Sequence, residues 1–324
     1  MGGAVSIPRP SSLGMIGKPF QKRDTGQKLL VVNKQELAAS RRTSWVDTTT
    51  DLQPVAACVP PGQCQFDEEW RAVPLLERRD VAHNARAFTF ACPDENFPLG
   101  LSTCACILAG SWKANASGEL VVRPYTPVST NAWVGKFELL VKIYDTDPPG
   151  VMSTWFNSLV PGDLVHFKHI APNVKRQHPF GVRNLVMLAG GTGVAPMIQA
   201  LHAVLGSPAD STEVTLMYGS KTEDVILARE VLDCWQDQPG LGGATLKIVH
   251  ILSREPEDSS WKGLRGRVDQ DLIEQHAPPP TDDVLIFVCG PPQMYVDLCG
   301  GRGEKELTGV LADLGYSAEQ VVKF

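Results

Sequence analysis

The sequence lacks a long apolar run: nowhere in its 324 residues do about 18 apolar residues follow one another, which excludes an ordinary membrane-spanning helix. The amino-terminal stretch has no apolar core of a secretory signal either, so the eight cysteines read as reduced thiols rather than a disulfide framework. Paired CxxC motifs are missing. Cys104 and Cys106 flank a single residue and Cys58 and Cys64 stand six positions apart, which excludes the usual zinc spacings, and His166 and His169 have no third ligand near them. No metal site is expected, and nothing in the sequence points to nucleic acid.

Charge is unevenly placed. Residues 1–44 hold eight Lys/Arg, among them Lys18, Lys22, Arg23 and Lys28, against only Asp24 and Glu36, leaving 22 basic and 34 acidic residues in the remainder. A basic tail on an acidic body suits an acidic surface, although a solvated leader carries the same pattern.

Residues 1–66 are rich in Pro, Gly, Ser and Thr and show no sustained period, so they read as a flexible leader that packs little core. From Trp70 the pattern becomes short alternating runs broken by turns (AFTFAC, LVVRPY, FELLVKIY, DLVHFK), which predicts an antiparallel sheet or barrel over 67–180. Over 181–324 the runs turn continuously apolar: LVMLAG, VTLMYG, LKIVHIL and VLIFVCG. Strands buried on both faces read this way, and the helix-like stretches PMIQALHAVL, VILAREVLDCW and VDQDLIEQH between them predict a parallel sheet with helices on both sides.

Three segments carry chemistry. GGTGVAP (190–196) is a glycine-rich turn from a strand into a helix, which offers backbone N–H groups to a phosphate, although Pro196 spoils the GxGxxG fingerprint and a plain tight turn looks the same. CGPPQM (289–294) again follows a strand, where open α/β sheets bind ligands, although a stiff strand stop reads alike. RPYTPVS (123–129) is followed by VKIY (141–144) and GVMS (150–153). Arg123 offers a guanidinium fork for a phosphate, Tyr125 a ring that can stack and Thr126 a hydroxyl, and Pro124 between them is expected to contact a cofactor with them.

The order RPYT, GVMS, GGTG, CGPP resembles the ferredoxin reductase superfamily and, within it, the NADH-cytochrome b5 reductases. FKHIAPNVKRQHPFG (167–181), PMIQALHAVLGSPAD (196–210) and the ending LGYSAEQVVKF are similar to the mitochondrial branch. The resemblance covers residue 67 to Phe324. It implies a six-stranded antiparallel β-barrel that holds FAD and a Rossmann-like α/β domain that holds NADH. In that family Arg123 would bind FAD phosphate, while Tyr125, Thr126, Val141, Lys142 and Tyr144 would line the flavin. Gly150, Val151, Met152 and Ser153 would cradle the pyrophosphate. Gly191, Thr192 and Gly193 would border both cofactors, and Cys289, Gly290, Pro291, Pro292 and Met294 would shape the nicotinamide pocket. Of these, Thr126, Lys142 and Cys289 would stand nearest the chemistry. Hydride would pass from NADH to FAD and leave as single electrons to cytochrome b5, steered by a basic rim of Lys142, Lys175 and Arg176. A ferric chelate or quinone as acceptor, or a nucleotide-sensing scaffold without turnover, are the alternatives.

Three positions depart from the family pattern. Ala195 replaces a common threonine, and Cys104 and Cys106 lie where members often read GQH. Ser253, followed by Arg254, occupies the place of the acid that binds the adenosine ribose, so NADPH is expected to be less strongly rejected. MGGAVS fits myristoylation of Gly2, which with the basic tail would hold a monomer on the cytoplasmic face of the endoplasmic reticulum or the mitochondrial outer membrane. A mitochondrial leader is the competing reading.

Overall fold

The protein is described here from a computed structural model over residues 53–114, 117–144 and 149–324. The first half contains β1 (Arg71–Ala82), β2 (Ala85–Ala91), β3 (Ile107–Ser111), β4 (Val121–Tyr125), β5 (Lys136–Lys142), α1 (Val151–Ser158) and β6 (Leu164–Lys168). The strands pair in the order β4-β3-β6-β1-β2-β5, every neighbour antiparallel. β5 and β6 lie three places apart, about 14 Å in a flat sheet. Phe137 of β5 and Phe167 of β6 nevertheless meet at 5.3 Å between ring centroids. The sheet is therefore curled, and it closes on an aromatic core of Phe66, Phe88, Phe90, Phe137, Phe156 and Phe167.

The second half contains β7 (Asn184–Gly190), α2 (Val194–Leu205), β8 (Glu213–Ser220), α3 (Arg229–Gln236), β9 (Thr245–Leu252), β10 (Leu264–Arg265), α4 (Gln270–His276), β11 (Val284–Cys289), α5 (Pro292–Cys299), α6 (Val310–Asp313) and β12 (Val321–Lys323). All six strands run parallel in the order β10-β9-β8-β7-β11-β12. Alternate residues of β7 serve two different cores: Leu185 and Met187 pack with α2 residues, Val186 and Leu188 with Tyr295 and Leu298 of α5. That is why the strand reads as continuously apolar.

Two local readings change. The helix expected over 225–235 begins only at Arg229, because Ala228 sits in the left-handed region at φ 58° and Glu223–Val225 forms a separate short turn. Residues 53–66, expected to pack little core, are tied down: Phe66 is inside the barrel, the Val55 N–H donates to His202 Nδ1 at 3.0 Å, and Asn131 Nδ2 donates to the Ala57 carbonyl at 3.0 Å.

A cleft at the seam of barrel and sheet

The parallel sheet reverses its strand order at β7, which has β8 on one side and β11 on the other. Loops leaving the carboxyl ends of such strands diverge and open a crevice. Here one loop is Gly190–Gly193 and the other Cys289–Pro292, and glycine lets them touch. A Cβ on Gly193 would stand 2.0 Å from the Cys289 carbonyl oxygen, and one on Gly190 would stand 2.9 Å from Met294 Sδ. Tyr218 fixes the first loop by donating its hydroxyl to the Gly191 carbonyl at 3.0 Å.

The facing wall comes from the barrel. β4 delivers Arg123, Pro124 and Tyr125, then Thr126; β5 delivers Val141 and Lys142, then Tyr144; α1 begins at Val151. No acidic residue occupies the first turn of α1, so its free backbone N–H groups face an anion unopposed. Gly150 is required there, since a Cβ would press 2.6 Å from Ser153 Oγ. Ser153 Oγ accepts from the Tyr144 N–H at 3.2 Å and donates to the Gly150 carbonyl at 3.0 Å, which shapes the turn. Tyr125 leans on Phe156 at 5.3 Å, so the motif rests on the aromatic core.

The two walls are bolted together. Gln199 of α2 donates to the carbonyls of Pro127 at 2.7 Å and Ser129 at 2.6 Å, directly after the RPYT residues. Cys104, held at φ 59°, donates its thiol to the Pro196 carbonyl at 3.3 Å. A non-glycine residue in that region costs on the order of 1 kcal/mol, and here its side chain joins barrel to helix.

Between the walls lies a cavity of about 730 Å³, within the range of small-molecule and cofactor sites. Every cofactor residue expected from the sequence lines it, including Ser253 and Arg254 at the end of β9. Of the expected basic rim, Lys142 and Lys175 line it, whereas Arg176 does not: its guanidinium donates to the Phe180 carbonyl at 2.9 Å. Sequence reasoning missed Lys221, Arg267, Arg302 and Phe324 as lining residues. Lys221 follows the end of β8 directly, which was a usable signal, whereas Arg267, Arg302 and Phe324 arrive through tertiary folding alone.

Burial sets the ionisation of the lining groups. It lowers the Lys142 ammonium, helped by the nearby charge of Lys221. It raises the Tyr125 hydroxyl far out of reach and pushes the Cys106 thiol up to about 11. Cys289 is likewise raised by burial, against the opposing pull of a Tyr295 hydrogen bond and Arg302. Neither thiol nor the Tyr125 hydroxyl is primed as a nucleophile or a base. The cleft offers anion-binding backbone, cations and a stacking ring, which is the donor set a dinucleotide needs.

Comparison with known proteins agrees with that chemistry. Residues 72–174 match the family model described as an oxidoreductase FAD-binding domain, and residues 187–300 one described as an oxidoreductase NAD-binding domain. An NADH-cytochrome b5 reductase 2 of Meyerozyma guilliermondii is 36% identical over 262 residues, covering 79% of this chain and 85% of the relative. The chain belongs to the NADH-cytochrome b5 reductase family. A reductase-like protein of Arabidopsis thaliana from the same family is 35% identical over 270 residues, 79% of this chain and 77% of that one. Among solved structures, the cytochrome b5 reductase domain of Ulva prolifera nitrate reductase aligns with a TM-score of 0.67 at 28% identity, covering 79% of this chain and 97% of that domain. The protein is an oxidoreductase of FAD and NADH, built as this family builds them.

Proposed function

We propose that the protein takes hydride from NADH and passes single electrons to cytochrome b5. The single observation that supports this most directly is that all four motifs, far apart in sequence, line one cleft between the FAD-binding and NAD-binding domains, which divide near residue 180. Bound FAD supplies the conversion between a two-electron donor and a one-electron acceptor. The chain's own residues position and insulate. Arg123 and the α1 N–H groups of Val151, Met152 and Ser153 would hold the FAD phosphates, while Tyr125, Thr126, Val141, Lys142 and Tyr144 would border its ring. Gly191, Thr192 and Gly193 would border the nicotinamide, and Cys289, Gly290, Pro291, Pro292 and Met294 would shape its pocket. Cys289, protonated at neutral pH, acts as a neutral wall rather than as a proton shuttle.

Lys142 and Lys175 form a local positive mouth on an otherwise acidic protein, suited to an acidic haem partner. Attachment would rest on Gly2 and the basic tail at Lys18, Lys22, Arg23 and Lys28, all outside the described residues. We place the protein as a monomer on the cytoplasmic face of the endoplasmic reticulum or mitochondrial outer membrane. No helix among the described residues is long and apolar enough to cross a membrane. Mass spectrometry of the native amino terminus tests the lipid: a myristoylated Gly2 is expected, and an unmodified or cleaved end contradicts it.

The reaction is tested by mixing the yellow protein anaerobically with NADH, then with oxidised cytochrome b5. Bleaching of the flavin band followed by cytochrome reduction is expected. Bleaching without cytochrome reduction would shift the acceptor to a ferric chelate or quinone, and a colourless protein would leave a non-catalytic scaffold.

A further inference from the structure

The cleft is electrostatically lopsided at its far end. Three neighbouring strands, β8, β9 and β10, end side by side there: the Ser253 N–H donates to the Ser220 carbonyl at 2.9 Å and the Gly266 N–H to the Leu252 carbonyl at 2.9 Å. Each strand end is followed by a cation that lines the cavity, Lys221 after β8, Arg254 after β9 and Arg267 after β10. Adjacent strands are about 4.8 Å apart, so the three leave the sheet along one short rim. No hydrogen bond or ion pair engages the Lys221, Arg254 or Arg267 head groups among the described residues.

Carboxylates are kept away from this rim. Asp297 is the one acidic residue lining the cavity among the described residues, and it stands on α5 beyond β11, where it accepts from Gln293 Nε2 at 2.7 Å. Glu255, two residues past Ser253, is turned to the Glu223 N–H at 2.8 Å, and Glu223 in turn binds Arg229. Ser253 itself is exposed, with its hydroxyl 3.2 Å from the Ser220 carbonyl. A ribose at the strand ends of a dinucleotide fold normally meets either an acid that accepts its 2′-hydroxyl or an arginine that takes a 2′-phosphate. This rim has the second chemistry and lacks the first.

We propose that the rim formed by Lys221, Ser253, Arg254 and Arg267 is a binding site for the 2′-phosphate of an adenosine nucleotide, so that the protein accepts NADPH as well as NADH. The inference rests on the reading of the cleft as a nicotinamide dinucleotide site. A dianionic phosphate gains from every cation here, most of all where Arg254 offers a planar fork, and meets no opposing charge. Ser253 contributes by what it is not: a carboxylate at that position would repel the phosphate by the like-charge penalty that sets specificity in such sites.

The test is equilibrium binding of NADP+ and NAD+ to the FAD-loaded protein at low and at high salt, with adenosine 2′,5′-bisphosphate and 5′-AMP as competitors. NADP+ is expected to bind within about tenfold of NAD+, with a steeper salt dependence, and the bisphosphate to compete better than AMP. Ser253→Asp should lower the ratio of NADP+ to NAD+ affinity by roughly 10- to 100-fold, and Arg254→Gln should flatten the salt dependence of NADP+ alone. Tight NAD+ binding with NADP+ more than about 100-fold weaker, or a ratio untouched by Ser253→Asp, overturns the phosphate site and leaves the NADH reading standing. Binding of neither nucleotide overturns both.

Discussion

The two walls of the cleft are made in different ways. The barrel presents side chains and a helix end to the cleft, Arg123, Tyr125, Lys142 and the start of α1, with Tyr125 and α1 packed on the aromatic core. Where it faces the barrel, the α/β domain presents mostly backbone: Gly190 and Gly193 bring two loops into contact that a Cβ would press apart, against Pro291 and the Cys289 carbonyl. Side chains suit a resident cofactor, whose phosphates and ring need permanent partners. Backbone suits a substrate that must enter, align and leave, because a glycine surface adds little but shape and N–H groups. The contrast makes each wall fail differently.

The largest effect is expected in the barrel. Phe90 touches Phe88, Phe137, Phe156 and Phe167, so Phe90→Ala should cost about 3–5 kcal/mol and release flavin, seen as a lower Tm and loss of yellow colour. In the other wall Gly193→Ala should leave flavin bound but slow its reduction by NADH roughly 100-fold, since displacement by about an ångström is enough. Retained reduction in Gly193→Ala would break the contrast; lost flavin there would blur it.

A third prediction concerns the segment that binds the leader to α2. His202 is buried beside Trp235, and burial lowers its pKa to about 3. The Val55 N–H occupies Nδ1, so a proton there would set donor against donor. Because the folded value lies below the unfolded one, this stability is full above about pH 6.5 and is lost as pH falls toward 3. Going from pH 7.5 to pH 5 should cost about 2 kcal/mol, and His202→Gln should remove most of that slope in Tm. The smallest effect falls on Cys289. With its thiol raised by burial, flavin reduction should show no inflection between about pH 6 and 8, and Cys289→Ala should slow it by about tenfold or less at all pH values. An inflection abolished by the substitution would make the thiol an acid–base group after all.

The sequence made the fold class and the principal motifs legible because each depends on local pattern. Period two announces a barrel strand, an unbroken apolar run announces a β7 or β11 packed on both faces, and a glycine turn after a strand announces a ligand end. What stayed hidden depends on contacts between distant residues. Gln199 looks like any polar residue of a helix until α2 is seen against Pro127 and Ser129. Arg176 reads as part of a basic rim until its guanidinium is found on Phe180. Ala228 broke a helix that propensity alone would have extended. The charge of the far rim was visible at Ser253 and Arg254, but Arg267 joined it only through the short β10 pairing.

A crystal structure of the FAD-loaded protein with NAD+ tests the central claim most directly. The account predicts FAD phosphates at the N–H groups of Val151–Ser153 and at Arg123, with the nicotinamide ring between Thr192 and Cys289–Pro291, against the flavin bordered by Tyr125 and Thr126. A nicotinamide seated outside the two glycine loops, or a flavin held away from the β4 and β5 ends, would contradict it.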